Sequence, residues 1–149
     1  MFAPETAEEA REAYASVGPA AQTVVRETAR AMEFDREEYG RRVTSDVVET
    51  ARDALFASLL RVFVADREAF EDWCAEHPDY QVAEAGSEHV ASVVWHPVPF
   101  AERVVAATFQ NEREAAVGTL RRQAFGRVYR EYLDGEATDG EATEGRDEP

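Results

Sequence analysis

The chain reads as an α+β protein: a helical N-terminal half, a small antiparallel sheet of three or four strands, and a long C-terminal helix, packed in two layers. Three observations carry this. Apolar residues recur at helical spacing as far as Ser58. Beyond it, short β-branched and aromatic runs alternate instead. Helical spacing returns after Asn111 and holds to about Leu133.

The first helical piece, Glu5 to Val17, carries Ala10, Ala13, Tyr14 and Val17 on one side. Gly18-Pro19 interrupts it, because proline removes a backbone donor and disfavours helix in the residue before it. Pro19 suits the first turn of a second helix, whose stripe is Ala21, Val24, Val25, Thr28 and Met32. Asp35 with Glu38 three residues later predicts a capping box and a short helix to about Arg42. Thr44-Ser45 offers the next cap, and Val47, Val48, Ala51, Ala54, Leu55 and Ser58 make the stripe that follows. Leu59 to Val64 reads as a strand. Asp66 caps a helix through Phe70, Trp73 and Cys74 that ends near His77-Pro78. Tyr80 to Ala83 is an edge strand, and Gly86-Ser87-Glu88 a turn. Ala91 to Val98 and Arg103 to Phe109 form an antiparallel hairpin whose pairing Pro97 and Pro99 should end. Asn111, with Glu114 at the capping-box position, starts the closing helix. Residues 1–133 are expected to form one domain. Residues 134–149, with seven acids, one Arg and no aromatic residue, are expected to be a disordered acidic tail.

Charge narrows the partners. The net charge is −15, from 31 acidic residues against 16 basic ones, all of them Arg. There is no Ile, and Asn111 is the sole Asn. Surface carboxylates stay hydrated in molar salt, where a Debye length of roughly 3 Å suppresses their mutual repulsion. The acidity therefore reads as adaptation to a salty environment. It speaks against nucleic acid and anionic membranes as partners. No apolar run reaches the ~18–20 residues of a membrane span, and the N-terminus lacks the pattern of a signal peptide. A single cysteine, Cys74, cannot form an intrachain disulfide. A cytoplasmic location follows as the expectation.

Few residues suggest chemistry. Arg121 falls within the stripe Val117, Leu120, Ala124, Phe125, Val128 and Tyr132, so it needs a carboxylate such as Glu114 or an anionic ligand. Trp95 and His96 end a strand on opposite faces, His96 with Val94 and Val98, Trp95 with Val93. Arg121, Trp95, His96 and Tyr129 could line a pocket in which Arg121 holds an anion and His96 moves a proton. Arg122 and Arg130 point away from Arg121, so Arg121, Arg122, Arg127 and Arg130 do not make one patch, which favours pairing with acids over phosphate binding. Cys74-Ala75-Glu76-His77 is a lone C-x-x-H without a second ligand pair, so neither a metal nor another cofactor is expected. No nucleophile elbow, Walker loop or dinucleotide fingerprint is present. The expected function is therefore a non-enzymatic module that binds a protein partner or another copy of itself. The alternative is an anion-binding protein or enzyme with its pocket near Arg121 and His96. An uncharged gap in the acidic coat would mark the docking surface, expected at Ala13, Tyr14 and Val17 or on the outer sides of Trp73 and Trp95.

Four segments resemble a family of small proteins from halophilic archaea classified only as a domain of unknown function. They are Gly18-Pro19-Ala20-Ala21, Phe34-Asp35-Arg36-Glu37-Glu38-Tyr39, the run from Val48 to Leu59, and the run from Asn111 through Leu120-Arg121-Arg122-Gln123-Ala124-Phe125-Gly126-Arg127. The resemblance spans most of residues 2–133. It implies the salt-adapted cytoplasmic setting and carries no catalytic residue.

Overall fold

A computed structural model describes residues 2–87 and 89–133. The fold is α+β, as the sequence predicts. The expected acidic tail, residues 134–149, lies outside the described residues.

Four helices come first, and side-chain caps fix most of their starts. Thr6 Oγ1 accepts from Glu9 N at 3.0 Å and opens α1 (Ala7–Ser16). Val17 alone links α1 to α2 (Gly18–Ala31), with Pro19 in the first turn of α2. Asp35 Oδ1 accepts from Glu38 N at 2.8 Å and opens α3 (Arg36–Arg42). Thr44 Oγ1 accepts from Val47 N at 3.3 Å and opens α4 (Ser45–Ser58). Each such cap supplies a partner for a backbone N–H that the first helical turn leaves free, worth about 1 kcal/mol. Tyr14 ties α1 to α4: its hydroxyl donates to Asp53 Oδ1 at 2.7 Å, and the Arg52 guanidinium lies 4.1 Å from its ring centre.

The sheet has β1 (Phe63–Asp66), β2 (Gln81–Ala85), β3 (Ser92–Val98) and β4 (Arg103–Phe109) in the order β1-β3-β4-β2. β3 and β4 form the expected antiparallel hairpin, and β1 lies antiparallel to β3. β2, however, pairs parallel with β4, so the sheet is mixed and not antiparallel throughout. The reason is α5 (Arg67–Glu76), capped by Asp66 Oδ1 accepting from Ala69 N. It connects β1 to β2, and a helical crossover of this kind returns the chain in the direction it came from. The β3–β4 hairpin then inserts between those two parallel edge strands.

α5 also adds a layer. The main core joins Ala10, Phe56, Leu60, Val94, Val105 and Leu120 on one face of the sheet. A second cluster, Phe70 with Val93, Trp95, Val104 and Ala106, lies on the opposite face. Both faces of β3 and β4 are thus covered, where two-layer packing was expected. Strand alternation accounts for the split: odd and even residues of β3 feed different cores.

Three boundaries differ from the sequence reading. β1 starts at Phe63, because Leu59 to Arg61 spend their backbone groups on other partners, Phe2 among them. Pairing between β3 and β4 continues past Pro97 to Val98, whereas pairing of β3 with β1 stops at Trp95. The closing helix α6 (Arg113–Ala124) has Glu112, not Asn111, at its cap position and no side-chain cap there. It continues through a π-turn, Phe125–Tyr129, and residues 130–133 are helical again.

Gly86 closes the turn after β2 at φ +102°, and a Cβ there would stand 2.0 Å from Thr108 Oγ1. Ser87 N donates to that same hydroxyl at 3.1 Å, so it has little freedom to move aside. Gly86→Ala is expected to destabilise the fold by about 1–3 kcal/mol, read as a lower midpoint in urea denaturation.

Candidate functional site

The sequence brings four residues forward as a pocket, and the structure unites only part of them. His96 pairs with Val105 on β4 and is fully buried, at 0% exposure. Its Nδ1 faces the Arg61 carbonyl, which can only accept, so Nδ1 carries the proton. Nε2 is then the acceptor, and the Tyr129 hydroxyl donates to it at 2.7 Å. Both ring nitrogens of a neutral imidazole are committed. Burial is the main force lowering the His96 pKa to about 4; the Arg61 carbonyl opposes that shift and the Arg121 charge adds to it. Burial also pushes the Tyr129 hydroxyl well above its ordinary range.

Arg121 reaches the same junction. Its Nε donates to the Leu60 carbonyl at 2.8 Å, a backbone partner that a search for carboxylates does not find. Glu114, the expected carboxylate, is exposed in the first turn of α6. Trp95 is not in this group. It points to the other side of the sheet, stacked on Phe63 at 5.6 Å and beside Phe70 at 5.2 Å.

The remaining candidates also take structural places. Arg122 donates to Thr119 Oγ1, and Arg130 lies over the Phe125 ring and 3.9 Å from Asp53. His77 Nδ1 faces the Trp73 carbonyl at 2.7 Å, and its ring stacks on Trp73. Burial, then Glu84 and Glu71, push the Cys74 thiol up and away from the reactive thiolate. Among the described residues no group of three or more His, Cys, Asp or Glu is placed to hold a metal. No helix among them is long and apolar enough to cross a membrane.

The feature the sequence reading placed elsewhere is a groove of about 640 Å³ between α2 and α4, with Phe34 and Val43 also in its lining. Its rim exposes Met32 (58%), Val24 (47%) and Val47 (42%). The expected docking surfaces do not have this character. Ala13, Tyr14 and Val17 pack against the main core, Trp95 is buried, and Trp73 packs on the second cluster. A second hollow of about 430 Å³ lies beside Tyr14, Gly18 and Arg52. Neither hollow is lined by Arg121, His96 or Trp95.

A signal for the groove was present in α2. Its stripe is two parallel ridges: Ala21, Val25 and Ala29 are buried, while Val24, Thr28 and Met32 run beside them unburied. One ridge packs within the molecule, and the other has no internal partner face.

The sequence matches a family of unknown function, DUF5809, over residues 1–130. The chain belongs to that family. No curated protein and no solved structure matches it. The family thus supplies no assigned chemistry, and the geometry of this member carries the functional argument.

The buried imidazole has a measurable consequence. The unfolded chain takes up a proton near the ordinary 6.5, the folded one only near 4. Between those values the unfolded state binds more protons, so stability is full above about pH 6.5 and falls as pH drops toward 4. The loss is about 3 kcal/mol. Urea denaturation across this window is expected to show that decline in the native chain and a flatter profile in His96→Gln.

Proposed function

We propose that this chain is a non-enzymatic, self-associating module of a salt-adapted cytoplasm, and that copies meet through the α2–α4 groove. The carrying observation is an apolar rim on a strongly acidic molecule. Met32, Val24 and Val47 stand exposed around the groove, while the chain bears −15.

Residues 18–58, which span α2 to α4, hold six Arg against eight acids, a net of −2. Several of these charges are neutralised locally: Arg30 with Glu27 at 3.4 Å, Arg42 with Glu38 at 3.2 Å. Each copy supplies both parts of the contact, an α2 ridge and a hollow beside it. Pairing of the two would give four packed helices. Binding is supported over catalysis by the full engagement of His96 and by the raised Cys74 thiol.

Sedimentation equilibrium of the full chain in molar potassium chloride tests this. The native chain is expected to weigh as a dimer. Met32→Glu, at a solvent-exposed position, is expected to weigh as a monomer with an unchanged circular dichroism spectrum. A native chain that stays monomeric at every concentration contradicts the proposal. Co-purification of a different protein or an apolar small molecule in the groove, with no dimer, does so as well.

A further inference from the structure

Arg52, in the second half of α4, is fixed at two points. Its Nε donates to the Tyr14 carbonyl at 3.0 Å, and its guanidinium lies 4.1 Å from the Tyr14 ring centre. These contacts set the plane of the guanidinium and leave the N–H donors of both Nη atoms. Among the described residues those donors make no ion pair, although Glu49 lies one turn earlier in α4 and Asp53 follows directly. Asp53 is committed elsewhere: it accepts from the Tyr14 hydroxyl at 2.7 Å and faces Arg130 at 3.9 Å. Arg52 lines the hollow of about 430 Å³ at the α1–α2 junction, together with Gln22 and Ser45. A half-buried guanidinium, held in one plane with its fork open, suits a carboxylate, which it binds through both oxygens.

Leu133 lines the same hollow. It is buried against the main core, so the point where the chain passes into residues 134–149 is fixed beside Arg52. That segment carries seven acids and one Arg, a net of −6, and opens with Asp134 and Glu136. At no more than ~3.6 Å per residue, both lie within about 11 Å of Leu133. A group tethered this closely meets the site at an effective concentration of about millimolar, which favours it over dilute free carboxylates of equal affinity.

We propose that this hollow is a carboxylate seat, filled through Arg52 by the chain's own Asp134 or Glu136 as a latch that salt releases. The contact lies within one chain and is independent of the α2–α4 groove. Glu49 stands in the same lining and opposes an incoming acid, which keeps the latch weak enough to open. The screening length falls from ~10 Å at 0.1 M salt to ~3 Å at 1 M, so the pull of Arg52 on the acids fades as salt rises. Closed, the latch keeps other anions out of the hollow. Open, it presents a fixed guanidinium to them.

Nuclear magnetic resonance of the isotope-labelled full chain tests this, from the lowest potassium chloride concentration at which circular dichroism shows the native fold up to about 1 M. The Asp134 and Glu136 amides are expected to have order parameters near about 0.8 at the low end, falling below about 0.6 at 1 M. The double variant Asp134→Asn, Glu136→Gln lies outside the described fold and leaves its packing intact. It is expected to give the same fall at low salt and to shift the Arg52 Nε–Hε resonance. Arg52→Gln is expected to free the same amides; because it also loses the Tyr14 contacts, the acid-neutralised variant decides. Native amides below about 0.6 at every salt concentration, or an Arg52 resonance that the acid-neutralised variant does not move, would overturn the latch. An Arg52 resonance that ignores that variant and shifts with added sodium acetate would overturn it too, and would assign the hollow to a free carboxylate.

Discussion

The turn from α4 into the sheet is the constraint around which the rest is arranged. The Leu59 and Leu60 N–H groups still donate back into α4, to the Phe56 and Ala57 carbonyls, but the helix has ended and β1 has not begun for the three carbonyls and the Arg61 N–H. Each of these four is met by a residue far away in the sequence. Phe2 N donates to the Leu59 carbonyl at 2.7 Å, and Arg61 N donates to the Phe2 carbonyl at 2.8 Å. Arg121 from α6 takes the Leu60 carbonyl, and His96 from β3 takes that of Arg61. An unpaired polar group in such a place costs about as much as a lost hydrogen bond. The N-terminus, the hairpin and the closing helix are therefore pinned to one three-residue turn. The π-turn Phe125–Tyr129 belongs to the same arrangement, since Tyr129 at its end completes the coordination of His96.

This use of polar residues bears on function. The groups that most resemble a catalytic set in the sequence are committed to holding the fold. His96 is buried and neutral, with no free nitrogen. Among the described residues the outside offers an acidic coat and, between α2 and α4, a groove whose rim exposes Met32, Val24 and Val47. Hydrated carboxylates tolerate molar salt, but molar salt also strengthens apolar attraction at any uncovered patch. Such a patch then persists where a surface contact is its use, which is the reading given to the α2–α4 face.

Much of the local structure was legible because its causes are local. The caps at Asp35, Thr44 and Asp66 are set by a side chain and an N–H three residues later. The β3–β4 hairpin is set by alternation and a short connection, and the opposite orientation of Trp95 and His96 follows from the strand period. What was not legible depends on partners distant in the chain. The parallel pairing of β2 and the second layer under α5 come from one crossover that periodicity does not display. Arg121 in an apolar stripe was recognisable as a residue needing a partner, yet a backbone carbonyl sixty-one residues away leaves no mark in the sequence. Asn111 failed as a cap although its spacing to Glu114 is right, which shows that α6 is placed by what it packs against. The groove was half legible. The apolar stripe of α2 was visible, but which of its residues would find an internal partner depended on where α4 lay.

Hydrogen–deuterium exchange followed by mass spectrometry at low and high protein concentration separates the two roles in one experiment. A fold pinned at residues 59–61, with its outward contact on the α2–α4 face, predicts strong and concentration-independent protection at the turn and in β3. It predicts protection that rises with concentration in peptides from α2, α3 and α4 alone. Concentration-dependent protection centred on α5 or the sheet edges, or none anywhere, would contradict it.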